Sequence, residues 1–177
     1  MTSNLIKGLV EDVTGWRRHL HQNPELGYQE EKTAAFVANQ LRSFAFDEVH
    51  ERIGVTGVVG VLHGHNGPGR GIGMRADMDA LPINEISDPE YKSQNEGVMH
   101  ACGHDGHTAL LLGAARALAE TGHFDGTAYF IFQPAEEGGA GAKAMIDDGL
   151  FERFDIDEVY GLHNAPGLDI DRFEIRS

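Results

Sequence analysis

Cysteine occurs once in these 177 residues, at Cys102, so no internal disulfide can form, which fits a reducing, cytoplasmic setting. Basic residues are scarce: 14 Lys and Arg stand against 28 Asp and Glu, and a formal charge of −14 argues against a nucleic-acid partner. No apolar run approaches the roughly 20 residues of a membrane helix. The opening "MTSNLIKGLVEDV" has no basic stretch followed by an apolar core, so neither a membrane partner nor a secretion signal is expected. Internal repeats and low-complexity segments are missing as well. Histidine, by contrast, is plentiful: there are 10, and imidazole is the commonest side chain for holding transition metals. With 41% hydrophobic residues, a chain of this length fits one domain that buries roughly 70% of its unfolded surface.

Periodicity divides the chain. Leu5, Leu9, Val13, Trp16 and Leu20 recur at helical spacing over Asn4 to His21. "NPELGYQE" breaks the pattern with a turn, and Ala34, Phe36, Val37 and Leu41 mark a second helix from Gln29 to Phe44. Valine and glycine then dominate a strand from Thr56 to Leu62. "GHNGPGRG" reads as the turn to a second strand, Ile72 to Ala76, so that Gly57 to Asp79 forms a hairpin. Asn84 to Val98 is irregular. Asp105 to Thr121 is apolar on most faces and reads as a buried helix, with Asp105 capping its start. Strands follow at Thr127 to Gln133 and Glu158 to His163, with a short helix in "GAGAKAMIDDGL" between them. Helices alternating with hydrophobic strands indicate an α/β layered domain, with a mixed central sheet covered on both faces.

Four polar clusters stand at the ends of these strands or before the buried helix: Asp77-Met78-Asp79, Cys102-Gly103-His104, Glu136-Glu137-Gly138-Gly139 and His163-Asn164. In open α/β sheets, functional groups collect beyond the carboxyl ends of strands. Taken singly, Cys102 reads as a small buried hydrophobe, the Glu pair as helix-start chemistry and His163 as a strand-end histidine. Asp77 and Asp79 share one face and repel each other unless a cation or donors intervene. Together, sulfur, nitrogen and oxygen donors from distant segments form the set expected of a metal site assembled by the fold. Adjacent glutamates leave a strand in different directions, so one can bind metal while its neighbour takes a proton from the attacking water.

Five motifs in order, "RRHLHQNPELGYQEEKTAAFV", "GMRADMDALPI", "MHACGHDGHTA", "FIFQPAEEGGAGAKAMI" and "GLHNAPG", resemble one group of enzymes. It is the amidohydrolase branch of the metal-dependent aminoacylase and carboxypeptidase family, which includes hippurate hydrolases, N-acyl amino acid amidohydrolases and auxin-conjugate hydrolases. The resemblance implies a three-layer zinc-aminopeptidase-like α/β domain. It further implies two divalent metal ions (zinc, manganese, cobalt or nickel) and hydrolysis of small N-acyl amino acids. By position, Cys102 matches a thiolate bridging the two ions, and His104, Glu137 and His163 match further ligands. Glu136 matches the general base and Asp79 a supporting carboxylate close to the metals. Asp77 stands where relatives outside the branch carry a ligating histidine. His19, His21, His100 and His107 lie in the motifs but match no ligand.

Two four-coordinate ions sharing Cys102 and one water need four private ligands, and the matched motifs supply three. The resemblance implies a lid or dimerisation domain and a last histidine ligand beyond residue 177. The expectation is therefore that residues 1–177 are the N-terminal part of the catalytic domain, binding metal incompletely and showing little amidase activity alone. Completion of the site in a homo-oligomer is the other route. Two rival readings differ in class: a hydrolase using Cys102 as nucleophile, and a metal-binding interaction module without turnover.

Overall fold

The computed structural model describes residues 2–169 and 172–175, with side chains from Lys7 onward in the first helix, so the expected core position Leu5 lies outside the described side chains. In chain order the elements are α1 (Thr2–Gln22), α2 (Glu31–Ser43), β1 (Glu48–Ile53), β2 (Gly57–His63), β3 (Gly71–Asp77), α3 (His104–Thr121), β4 (Thr127–Gln133), α4 (Gly141–Asp147), α5 (Leu150–Arg153) and β5 (Glu158–Gly161). The strands form one mixed sheet in the order β1-β2-β4-β3-β5.

Strict alternation builds the two cores. Val58, Leu62, Phe130 and Phe132 point to one side of the sheet, where Val37 and Leu41 of α2 and Leu111 and Leu112 of α3 cover them. Val59, Val61, Tyr129 and Ile131 point to the other side, beneath Met145, Leu150 and Phe154. Successive side chains of a strand face opposite ways, so a run apolar at every position must be covered twice. Phe130 and Phe132 are fully buried, each worth roughly 1.5–3 kcal/mol over leaving the ring exposed. The three-layer expectation is met, and α1 packs on the outside of α3.

The hairpin expected between Gly57 and Asp79 does not form. β2 pairs antiparallel with β1 and β4, whereas β3 pairs parallel with β4 and β5, so β4 lies between the two expected partners. The sheet is mixed as expected, for a different reason. The connection after β2 is anchored on the turn that enters β4: Gly64 N–H donates to Gly126 O at 2.8 Å and His65 N–H to Gly122 O at 2.8 Å. A turn-rich stretch between two apolar runs is the same whether the runs adjoin or a third strand slips between them. The actual hairpin partner of β2 is β1, "EVHERI", an edge strand whose polar, largely exposed residues carry little apolar signal.

The parallel strands position the chemistry. Asp77 pairs with Gln133 and Arg75 with Gly161, so β3, β4 and β5 all end at one edge of the sheet. The N-terminus of α3 reaches the same edge, where His104 lies within 4 Å of Asp77 and Asp79.

Candidate metal centre

Gly103 starts this geometry. Its φ of 87° lies in the left-handed region that favours glycine, and a Cβ there would stand 3.1 Å from Asn164 Oδ1. The chain can thereby turn sharply between Cys102 and His104. Asp105 does not cap α3 as expected, for the helix start carries no side-chain cap. Its carboxylate turns instead toward α1, accepting from Arg17 Nε at 3.2 Å and from His21 Nδ1 at 2.9 Å. Two bonds from cationic or imidazole donors outweigh one capping bond, and they tie α3 to α1.

His104 is fully buried. Its Nδ1 lies 3.2 Å from Asp79 Oδ1, and Asp79 Oδ2 accepts the backbone N–H of Glu137 at 2.9 Å. The carboxylate thus holds His104 in the tautomer protonated at Nδ1, leaving Nε2 a free lone pair. That Nε2 has no hydrogen-bond partner. Around it stand Asp77 Oδ2 at 3.8 Å, Glu136 Oε2 at 3.9 Å and Glu137 Oε1 at 3.9 Å, all too far for a hydrogen bond. His163 donates from Nδ1 to the carbonyl of Asn164 at 2.7 Å, which turns Nε2 toward Cys102 Sγ at 3.6 Å.

These separations suit a metal better than hydrogen bonds. Ligand atoms about 2.0–2.3 Å from a tetrahedral ion stand about 3.3–3.8 Å from one another. Donor atoms of Cys102, His104 and Glu137 all lie within 4.8 Å of each other, and so do those of Asp77, His104, His107 and His163. The orphaned Nε2, a thiol, an imidazole and a carboxylate form a set that fits a divalent transition ion. Burial, followed by the nearby carboxylates of Glu137, Asp77 and Glu136, pushes the Cys102 thiol up to about 11. Negative potential of this kind favours a cation and disfavours a free thiolate.

The structure brings together every expected site residue: Cys102, His104, Glu137 and His163, with Glu136 and Asp79 beside them. The two glutamates do not diverge as fully as expected, since each carboxylate comes equally near His104 Nε2. They differ at the sulfur, because Glu137 joins Cys102 and His104 in one donor cluster and Glu136 stands outside it, 40% exposed. The repulsion between Asp77 and Asp79 is answered by donors from the protein itself. Asp77 accepts from Arg75 at 2.7 Å and from His107 Nδ1 at 2.7 Å, and those partners, with His104, hold it at about 2 although burial acts to raise it. His107 Nε2 lies 2.6 Å from Asn164 Oδ1 and 3.1 Å from Asn164 N. Both its nitrogens are therefore engaged, and His107 braces the segment that carries His163.

Sequence reasoning missed this bracing role. The spacing of Asp77 to the strand end and of His107 to the start of α3 was visible, but the pairing of those positions required the packing of α3 on β3. The first motif likewise gave no partner for Tyr28, which donates to Gly139 O, or for Glu30, which accepts from Ala135 N–H.

Comparisons with known proteins show the family of the chain. The model of "Peptidase family M20/M25/M40" matches residues 73–177. The chain is 58% identical to a hippurate hydrolase of Campylobacter jejuni over 150 residues, covering 85% of this chain and 38% of that protein. It is 48% identical to an N-acyl-L-amino acid amidohydrolase of Geobacillus stearothermophilus, covering 92% of this chain and 45% of the relative. Among solved structures, a dinuclear metal-binding peptidase of the M20 family from Bacillus subtilis superposes with a TM-score of 0.86 at 37% identity, covering 93% of this chain and 46% of that one. The chain thus spans about two fifths of the length of the curated relatives it matches.

Proposed function

The chain belongs to the peptidase family M20/M25/M40, and on that premise we propose that it carries the metal-binding and proton-transfer groups of a hydrolase that cuts the amide bond of N-acyl amino acids. The observation that carries this reading is the meeting of Cys102, His104 and Glu137 donor atoms within 4.8 Å, with Glu136 just outside. Cys102, His104, Glu137 and His163 would hold the divalent ions, and the buried, unpartnered Nε2 of His104 is the donor that most needs one. Zinc, manganese, cobalt and nickel all suit such mixed donors. When bound, the ions supply Lewis acidity that polarises the substrate carbonyl and the attacking water.

Glu136 takes the proton of that water as its oxygen bonds to the acyl carbon. It returns the proton to the amide nitrogen as the C–N bond breaks, so acid and amine leave with no net proton consumed at the glutamate. Asp79 places the proton of the neutral His104 ring on Nδ1, makes its Nε2 a more basic donor, and holds the Glu137 backbone. The names of the relatives support N-acetyl, N-benzoyl and similar acyl groups on an amino acid as substrates. We also read residues 1–177 as the N-terminal part of the catalytic domain, with the last ligand supplied from outside it, by further chain or by a second copy. A reducing, cytoplasmic setting suits a lone ligating thiol. Among the described residues, no helix is long and apolar enough to cross a membrane.

Hydrolysis of N-acetyl and N-benzoyl amino acids with added Mn²⁺, Zn²⁺, Co²⁺ or Ni²⁺, alongside metal content, tests the reading. Metal bound by the parent chain and by Glu136→Ala alike supports it, with turnover weak in the parent and abolished in the variant. Turnover that survives a chelator and dies on alkylation would instead favour a Cys102 nucleophile, for which His163 stands at 3.6 Å. The raised thiol speaks against that rival, since nucleophilic cysteines need a lowered pKa.

A further inference from the structure

The stretch "NPELGYQEE", Asn23 to Glu31, has no part in the chemistry above, yet it reaches the segment that bears Glu136 and Glu137. Glu30 is 0% exposed. One of its carboxylate oxygens accepts the backbone N–H of Ala135 at 2.8 Å, and the other accepts the Thr56 hydroxyl at 2.6 Å. Both bonds come from neutral donors, and burial raises the carboxyl above its ordinary range in spite of them. Two residues earlier, Tyr28 donates its hydroxyl to the carbonyl of Gly139 at 2.5 Å. Gly27 lies flat against the same turn, where a Cβ would stand 3.0 Å from Ala135 Cβ.

Ala135 has a φ of 46°, a left-handed conformation that a residue with a Cβ adopts only when its surroundings hold it there. With Asp79 on the N–H of Glu137, the turn is gripped at residues 135, 137 and 139, each time by a side chain from another segment. A buried carboxyl without a cation is costly, and an apolar side chain would serve stability better. What an apolar side chain lacks is an acceptor for the Ala135 N–H.

We propose that Glu30, seconded by Tyr28, is a positioning residue: it holds the Ala135 turn so that Glu137 stays with Cys102 and His104 while Glu136 remains outside. This rests on the metal-hydrolase reading for its purpose, but the grip itself is a property of the metal-free chain. Two measurements therefore separate the two ideas. One is Co²⁺ affinity, followed through the sulfur-to-cobalt absorption band. The other is hydrogen exchange of the Glu137 amide, which bonds to Asp79 and not to Glu30.

In Glu30→Leu, Co²⁺ affinity is expected to fall about 10–100-fold, as when a group that orients a metal ligand is lost, and the Glu137 amide is expected to exchange faster. Glu30→Gln keeps an acceptor for Ala135 N–H and is expected to restore both. Tyr28→Phe, at a half-buried position, is expected to shift both in the same direction by a smaller factor, and it carries the test should Glu30→Leu fail to fold. Parental affinity and parental Glu137 exchange in Glu30→Leu, or in Tyr28→Phe where that variant stands in, would overturn the proposal. Equal losses in Glu30→Gln and Glu30→Leu would overturn it too. A parent chain that binds no Co²⁺ would sink the metal reading, and the exchange measurement would still decide the grip.

Discussion

His104 donates a hydrogen bond from Nδ1–H to Asp79 Oδ1 at 3.2 Å, and this one bond decides which of its nitrogens faces the donor cluster. Nε2 is left buried and without a partner, directed at carboxylate oxygens 3.8–3.9 Å away. Removal of that carboxylate should free the ring to rotate and to take the other tautomer. In Asp79→Ala we expect Zn²⁺ affinity to fall roughly 10–100-fold while helical content stays at the parent level. Isothermal titration calorimetry with parallel circular dichroism checks both.

Cys102 makes a claim about protons. Burial and then the surrounding carboxylates push its thiol up to about 11, so the metal-free chain carries S–H at pH 8. Binding a divalent ion through sulfur requires the thiolate, so binding releases a proton and strengthens as pH rises. Calorimetric titration of Zn²⁺ in two buffers of different ionisation enthalpy should show about one more proton released by the parent than by Cys102→Ser. Equal release by the two proteins would remove the sulfur from the ligand set.

Asp77 governs stability in strong acid. Burial acts to raise its carboxyl, but the His107 bond and the Arg75 charge prevail and hold it at about 2, below the ordinary 3.8. A depressed carboxyl contributes stability above the unfolded value, and that contribution is lost as pH falls from 3.8 through about 2. The amount is on the order of 2 kcal/mol. Urea unfolding across that window should show a shallower decline for Asp77→Asn than for the parent.

His100 acts at a higher pH. Its ring is 4% exposed with both nitrogens unpartnered, and burial holds its pKa down to about 4 from 6.5. The unfolded chain therefore binds the extra proton first. The stability associated with a neutral His100 is full above 6.5 and drains as pH falls toward 4. The loss is roughly 3 kcal/mol. His100→Leu breaks no hydrogen bond of the ring, so it should unfold like the parent at pH 8 and flatten the decline from 6.5 to 4. The same urea series, begun at neutral pH, measures it.

The fold was largely legible wherever periodicity was strong. β4 occupies the expected Thr127–Gln133, and α3 begins one residue before the expected start. Legibility failed where the signal was local but the outcome was not. "GHNGPGRG" could not say that β4 lies between β2 and β3, and "EVHERI" offered little apolar pattern to mark an edge strand. Cys102, His104, Glu136, Glu137 and His163 stood out by residue type and motif. Tyr28 and Glu30 lie in the first motif too, but its pattern does not say what they touch, since a glutamate after a turn reads as solvated until packing buries it.

By itself the sequence determined the alternation that must be covered on both faces, the apolar helix behind Cys102 and His104, and the inventory of sulfur, nitrogen and oxygen donors. Those follow from local chemistry: side-chain type and spacing along a few residues. The tertiary structure alone decided that three parallel strand ends share an edge, that His104 presents Nε2 and that Glu30 grips the Ala135 turn. Each of these joins segments far apart in the chain, and a hydrogen bond or a ligand set has no direction until packing brings its members within a few ångströms.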